Sequence, residues 1–387
     1  MKFFHTADWH LGKLVQGVHM TEDQRYVLMQ LVEAIEQERP DALVIAGDLY
    51  DRAVPPTDAV NLLDDLLSKV VLELKTPVLM VAGNHDSPSR LNFGSRLMRD
   101  AGIHVAGTVG VDDGPVVLHD AYGEVHFHLL PYADPSVVRH AYEDETITSH
   151  DKAMKKVTGR IREAMDPSAR HVFVGHAFVT PGATAEENTS DSERPLSIGG
   201  AEYVDAAHFE RFDYAALGHL HKAHFVRNES IRYAGSPLKY SISEERHQKG
   251  YYVVDIDGEG GVTTEKRVFK VRRDMRTVEG LMADILTHEP NDDYVFVKLL
   301  DETPVLYPME KVRSVYPNAL HVERKHFVQD IAVSEARNRD KMEPMALFSA
   351  FYEEVKGEMA SAETTVLMER VMQELLDEDG EQEKVKA

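Results

Sequence analysis

The chain has 387 residues, 43% hydrophobic and 28% charged, too many for one small core and pointing to a globular protein with one large domain and attachments, or two to three domains. It contains no cysteine, which excludes disulfides, thiolate metal sites and thiol nucleophiles and makes a reducing cytoplasm the expected compartment. The formal net charge of −23, taken alone, argues against nucleic-acid binding, which ordinarily uses a basic face; but residues 343–387 hold 12 acidic against 4 basic residues, a net −8, and carboxylates around a bound cation also count as negative.

The opening residues MKFFHTADWH carry no apolar leader core, and no later stretch has the length of a membrane span. Residues 2–7 read as a buried strand ending at Asp8, 22–38 as a helix, 42–47 as a second buried strand, 57–75 as a helix with a wide apolar face, and 77–83 as a third strand. This β-α-β-α-β order predicts a largely parallel sheet with crossover helices. Strands follow near 116–119 and 125–130, then a helix near 151–165 and short apolar strands at 171–177 and 214–221, both ending in Gly-His. Residues 231–233, 251–256 and 262–270 read as antiparallel strands, completing a two-sheet α/β domain over 1–270. With the strand before 278, a short helix at 278–288, a strand at 294–300, a helix at 309–315 and a strand at 319–324 give a small separate α/β unit over 271–333. A charged linker at 334–344, two amphipathic helical stretches within 345–377 broken near Gly357, and a polar tail at 378–387, expected to be disordered, complete the chain.

Five short motifs end these apolar strands or follow them closely: Asp8 and His10; Asp48 and Asp51; Asn84, His85 and Asp86; His176; His219 and His221. Parallel sheets bring the carboxyl ends of their strands to one edge, where ligands bind, so side chains far apart in sequence should converge there. Carboxylates, imidazoles and an amide oxygen suit Mn, Fe or Zn, and the preceding glycines permit tight turns and close approach. Any one motif alone reads better as a turn or cap; five in this order at strand ends do not.

Asp-x-His, Gly-Asp, Gly-Asn-His-Asp, Gly-His and Gly-His-x-His in this order resembles the signature of the calcineurin-like metallophosphoesterases. The words HTADWHLGK (5–13), GDLYDRAVPP (47–56), GNHDSPSRL (83–91) and YAGSPLKYSISE (233–244) are similar to those of one branch, bacterial DNA nuclease subunits that work with an SMC-like ATPase. The resemblance implies a two-sheet α/β sandwich flanked by helices, with a small α/β capping domain and a C-terminal helical tail. It implies that Asp8, His10 and His221 bind one metal, that Asn84, His176 and His219 bind another, and that Asp48 bridges them. The cofactors would be two divalent cations, Mn²⁺ first and Mg²⁺ as the alternative. His85 would lie beside the scissile phosphate, and Asp86 would orient His85 or a nearby loop. Archaeal and eukaryotic relatives carry a second histidine three residues after the bridging aspartate; here that position is Asp51, left to orient His85 instead. Two cations about 4 Å apart lower the pKa of a bound water and clamp the phosphate oxygens, and His85 can stabilise the developing charge or protonate the leaving oxygen. The branch further implies 3′–5′ exonuclease action on duplex ends, endonuclease action on single strands and hairpins, and roles in DNA replication, recombination and repair. A homodimer inside a heterotetramer with the ATPase is implied too.

Lys13, Arg52, Arg90 and Asn92 flank the motifs and are expected DNA contacts that position without reading sequence. The basic run at 266–276 reads equally as a phosphate contact or a solvated strand edge. His126 and His128 share one strand face and read as an ordinary face, and His5 reads as structural. The breadth of the apolar face at 57–75 fits core packing or a dimer interface. The tail helices at 345–377 read as a docking module for the ATPase. Against the nuclease stand a free-standing phosphoesterase acting on nucleotides or phosphoproteins, which the catalytic core alone does not separate from it, and a non-catalytic scaffold, which the intact motif set disfavours.

Overall fold

The structure is a computed structural model describing residues 1–111, 113–182, 189–193, 202–324, 344–357 and 359–372. The chain divides into two compact units, residues 1–325 and 326–387.

In the first unit, strand Lys2–Thr6 alternates as its sequence dictates. Phe3 joins the buried layer that also holds Val44, Leu79, Val81, Phe127, Val172, Val174 and Tyr214, while Phe4 joins the layer of Leu28, Leu31, Ile35, Leu62 and Leu66 from the covering helices. Period-2 alternation with both faces apolar is the mark of a strand buried on both sides. One six-stranded sheet runs in the order 262–268, 250–256, 2–6, 42–46, 78–81, 103–106, and a second in the order 224–226, 228–233, 214–218, 170–176, 123–130, 116–120. Phe3 locks the two together, edge-on to Phe127 at 5.4 Å and to Tyr214 at 5.8 Å. Helices Thr21–Glu38 and Thr57–Leu67 cover the first sheet, and helix His150–Ala164 packs on the second. At the end of the second sheet away from His176, Arg170 forks onto Asp120 at 2.9 and 2.6 Å and also donates to the Asp257 carbonyl at 3.1 Å.

Strands 2–6, 42–46 and 78–81 run parallel, as do 123–130, 170–176, 214–218 and 228–233. Residues 231–233 thus lie in a strand parallel to 214–218, and their antiparallel neighbour is strand 224–226. The helix read over 57–75 is α-helical to Leu67 and then widens into a π-helical turn, Ser68–Glu73.

Residues 275–324 hold three parallel strands, Met275–Gly280, Tyr294–Leu299 and Ala319–Arg324, with helices Met282–Ile285 and Pro308–Arg313. Their own core contains Val278, Ile285, Val295, Val297, Val312 and Tyr316. The short helix expected at 278–288 is therefore confined to 282–285, because Val278 pairs with Val297 in the sheet. The guanidiniums of the basic run are engaged with carboxylates: Arg272 and Arg273 with Asp23, Arg276 with Asp293, and Arg267 with Glu265.

The second unit contains helix Pro344–Lys356 and a helix over 362–372, separated by Gly357 at φ +73°. Leu347, Phe351, Val366, Leu367 and Val371 are exposed. The end of the second helical stretch at 373–377, most of the linker at 334–344 and the tail at 378–387 lie outside the described residues. No helix of the described residues is long and apolar enough to cross a membrane.

Candidate metal centre

The two sheets meet at the carboxyl ends of their strands so closely that side chains are excluded between them. A Cβ on Gly218 would lie 1.8 Å from the Ala46 carbonyl oxygen, and one on Gly47, at φ +91°, would lie 2.3 Å from His176 Nδ1. These glycines let the loop after strand 42–46 and the loop after strand 214–218 face each other. The loops themselves are strained. Asp8, His10, Asp48 and His219 have φ of 54°, 45°, 48° and 111°, left-handed conformations that cost non-glycine residues about 1–3 kcal/mol each and cluster at functional sites.

The strained loops aim polar atoms at one point. Asp8 accepts the His219 backbone N–H on Oδ1 at 2.9 Å, while its buried Oδ2 has no hydrogen-bond partner among the described residues. His10 Nε2 and His221 Nε2 face each other at 3.0 Å. Asp48 Oδ2 sits between two imidazoles, 3.5 Å from His10 Nε2 and 3.4 Å from His176 Nε2. The Asn84 amide oxygen is 2.9 Å from His176 Nε2. His176 donates its Nδ1–H to the Ala46 carbonyl at 3.0 Å, which leaves Nε2 with a free lone pair. The His219 ring stands edge-on to His176 at 5.4 Å. Ligand atoms of Asp8, His10 and His221 converge within 4.8 Å of one another, as do those of Asp8, Asp48 and His176, and those of His10, Asp51 and His85.

The electrostatics favour cations. Burial holds His10 down to about 3 and pushes His176 and His219 below the ordinary imidazole value, so these rings are neutral donors. Burial, and then the neighbouring Asp48, raises Asp8 above the usual carboxylate range. Burial pushes the Asp48 carboxyl up as well, but the neighbouring His176, His10 and His85 outweigh it and hold the carboxyl below the usual carboxylate range. Two buried carboxylates among neutral imidazoles, one with an orphaned oxygen, lack the positive charge that burial of anions requires. Divalent cations fit this donor set.

The remaining expected residues lie around this centre, several with partners other than those expected. His85 is half-buried, its ring 4.7 Å from that of His10. Its Nδ1 lies 2.8 Å from the Asp51 carbonyl oxygen. Asp51 therefore reaches His85 through its main chain, and its carboxylate turns to Lys13 Nζ at 2.8 Å and His10 Nδ1 at 3.6 Å. Asp86 binds a loop and not the His85 ring: it accepts backbone N–H groups of Leu49 (3.1 Å), Tyr50 (2.9 Å) and Gly83 (2.9 Å). Of the four residues read as DNA contacts, Arg52 and Arg90 are exposed, Lys13 is 13% exposed and bound to Asp51, and Asn92 is half-buried against Gly107. His128 Nε2 meets His171 Nδ1 at 3.0 Å, His126 meets Glu124 at 2.7 Å, and His5 meets the Tyr214 hydroxyl at 2.9 Å.

Sequence reasoning missed a supporting group. Gln24 donates to the carbonyls of Trp9 (3.0 Å) and His10 (2.8 Å), and Tyr240 donates to that of Trp9 (2.5 Å), fixing the first loop. Glu244 lies 3.2 Å from His221 Nδ1. Tyr240 and Glu244 belong to the run YAGSPLKYSISE, whose resemblance to the nuclease branch was the available signal.

The family model described as calcineurin-like phosphoesterase matches residues 1–223, and that described as type 5 capsule protein repressor C-terminal domain matches residues 271–356. The chain is 34% identical over 383 residues to SbcD, the D component of nuclease SbcCD, of Staphylococcus saprophyticus, covering 98% of this chain and 99% of that protein. It is 33% identical over 384 residues to the protein of the same name from Staphylococcus epidermidis, covering 98% and 100%. Among solved structures, a dimetal phosphatase from Danio rerio matches at 13% identity and a TM-score of 0.41, over 69% of this chain and 96% of that one.

Proposed function

The chain belongs to the calcineurin-like phosphoesterase family, in the branch of the SbcD nucleases, and on that footing we propose that it cuts DNA at a dinuclear Mn²⁺ centre together with an SbcC-type SMC-like ATPase. Its reactions are 3′–5′ exonuclease action on duplex ends and endonuclease action on single strands and hairpins, within DNA end processing. The observation that carries the reading is the position of Asp48 Oδ2, nearly equidistant from His10 Nε2 and His176 Nε2.

Asp8, His10 and His221 would hold one cation and Asn84, His176 and His219 the other, with Asp48 serving both groups. Such a pair would supply Lewis acidity and an activated water. The protein's own groups do the rest. A carbonyl only accepts, so the 2.8 Å contact with Asp51 fixes the proton of His85 on Nδ1. His85 Nε2 is left to face the phosphate, where its protonated form donates to the leaving oxygen. Asp86 ties the Gly83 turn to the backbone of Leu49 and Tyr50, keeping Asn84 and Asp48 in register. Arg52 and Arg90 meet phosphates along the strand and set position without reading bases.

Phe93 and Leu97 are 85% and 84% exposed beside the edge strand Ile103–Ala106, which supports a homodimer; with the ATPase bound to residues 345–377 this becomes a heterotetramer. The absence of cysteine is in keeping with work in the cytoplasm, on the nucleoid.

The test is nucleotide release from end-labelled linear duplex DNA with Mn²⁺, with and without the ATPase. Release from 3′ ends, stimulated by ATPase and ATP, is expected. Turnover of a simple phosphomonoester with intact DNA would instead favour a free-standing phosphatase.

A further inference from the structure

His176 is oriented by a main-chain carbonyl, but His221 is oriented by a buried charge pair that the sequence motifs do not include. Glu244 is fully buried, with Oε1 3.2 Å from His221 Nδ1 and Oε2 bound to Lys249 Nζ. Lys249, also buried, donates in addition to the His221 carbonyl at 2.8 Å and to Ser236 Oγ at 2.8 Å. All three ammonium hydrogens thus have partners. The lysine holds the main chain of the ligand and the carboxylate behind its ring at once. The Ser192 hydroxyl lies 2.7 Å from the same Nδ1 and also bonds Glu244, and Glu193 accepts the His221 N–H at 2.7 Å.

This arrangement determines which nitrogen faces the metal. An ionised carboxylate only accepts, so His221 carries its proton on Nδ1. The lone pair is then on Nε2, the atom that faces His10 Nε2 at 3.0 Å. A carboxylate behind a ligating imidazole also raises its basicity and fixes its ring. A buried ion pair is a poor source of stability for its own sake, since an apolar pair of like volume often does as well. Its place here calls for another explanation.

We propose that Glu244 is a positioning residue for His221, clamped by Lys249, and that the pair sets the cation affinity of the Asp8–His10–His221 side of the centre while leaving the Asn84–His176 side unaffected. This rests on the reading of the centre as a two-cation site.

The test is titration of the full chain with Mn²⁺, following free Mn²⁺ by electron paramagnetic resonance, beside thermal melts without metal. Wild type should show two binding steps. Glu244→Gln keeps the volume but turns an NH₂ toward either Lys249 or His221. One dissociation constant should rise about 10–100-fold and the other should hold, and cleavage should recover at saturating Mn²⁺. The double variant Glu244→Leu with Lys249→Met removes both charges and keeps the packing. It should melt near wild type and still show one weakened step, and it carries the test if Glu244→Gln does not fold. Two unchanged steps in either variant would overturn the proposal, as would two steps weakened in proportion to lost stability. A wild type that binds no Mn²⁺ would overturn the two-cation reading and this proposal with it.

Discussion

His85 is held by the main chain of Asp51, not by its carboxylate: Nδ1 is 2.8 Å from the carbonyl oxygen, and the carboxylate lies against Lys13. A side-chain change at position 51 therefore leaves the grip on His85 in place. Asp51→Ala should lower DNA cleavage about 10–100-fold through His10 and Lys13, whereas His85→Ala should lower it by about 10²–10⁴-fold. Single-turnover cleavage of the two variants side by side checks this. An equal loss in both would mean that the carboxylate, and not the carbonyl, serves His85.

The Asp120–Arg170 fork gives stability a defined pH dependence. The Arg170 guanidinium holds the Asp120 carboxyl below the usual carboxylate range, against the effect of burial. A depressed carboxyl stabilises the fold above its unfolded value and loses that contribution as pH falls through the folded one. Asp120→Asn should therefore cost about 2 kcal/mol near neutral pH, and the difference from wild type should shrink below about pH 4. Urea unfolding at the two pH values decides it; a difference that does not change with pH would remove the charge from the explanation.

DNA affinity should depend steeply on salt despite the net charge of −23, because a few local cations meet phosphates. Arg90→Ala and Arg52→Ala should each reduce the slope of log K against log salt by about 0.9, equally for all sequences. Lys13→Ala should change the slope less, since its ammonium faces Asp51. A shift in sequence preference in the arginine variants would contradict a positioning role.

The residues that converge on the site could be read from the sequence because they end or closely follow short apolar runs, and parallel strands bring such ends together. Direction could not be read. The spacing Gly-Asn-His-Asp does not say that Asp86 turns back to the amides of Leu49, Tyr50 and Gly83. Nor does it show that Asp51 would reach His85 through its carbonyl. Glu244 was signalled only by its place in YAGSPLKYSISE, with no hint of its role, and Lys249, five residues on, carries no signal at all; only the fold brings the two behind His221. At 278–288 the periodicity misled. Val278, Met282 and Ile285 are spaced as on a helix, yet pairing with strand 294–299 takes residues 278–280 into the sheet and leaves the helix only 282–285. Tertiary pairing overrode local pattern there.

The described helices of the tail expose apolar side chains. Phe351 is 61% exposed and Leu367 59%, on helices short enough to be marginal alone in water. Deleting residues 343–387 should leave Mn²⁺-dependent hydrolysis of simple phosphodiesters nearly intact. It should abolish co-purification with the ATPase and ATP-stimulated cleavage. Undiminished complex formation by the truncated chain in a pull-down would move the tail to another role.

The most direct measurement is the count of bound Mn²⁺ by equilibrium dialysis and elemental analysis, taken beside DNA cleavage, for wild type, His85→Ala and Asp48→Asn. Asp48 lies between the two ligand groups and His85 outside them. Wild type and His85→Ala should each hold two Mn²⁺ per chain, with cleavage lost in the variant, and Asp48→Asn should lose at least one Mn²⁺ together with activity. A His85→Ala protein that binds no metal, or an Asp48→Asn protein that keeps both ions, would contradict the dinuclear centre proposed here.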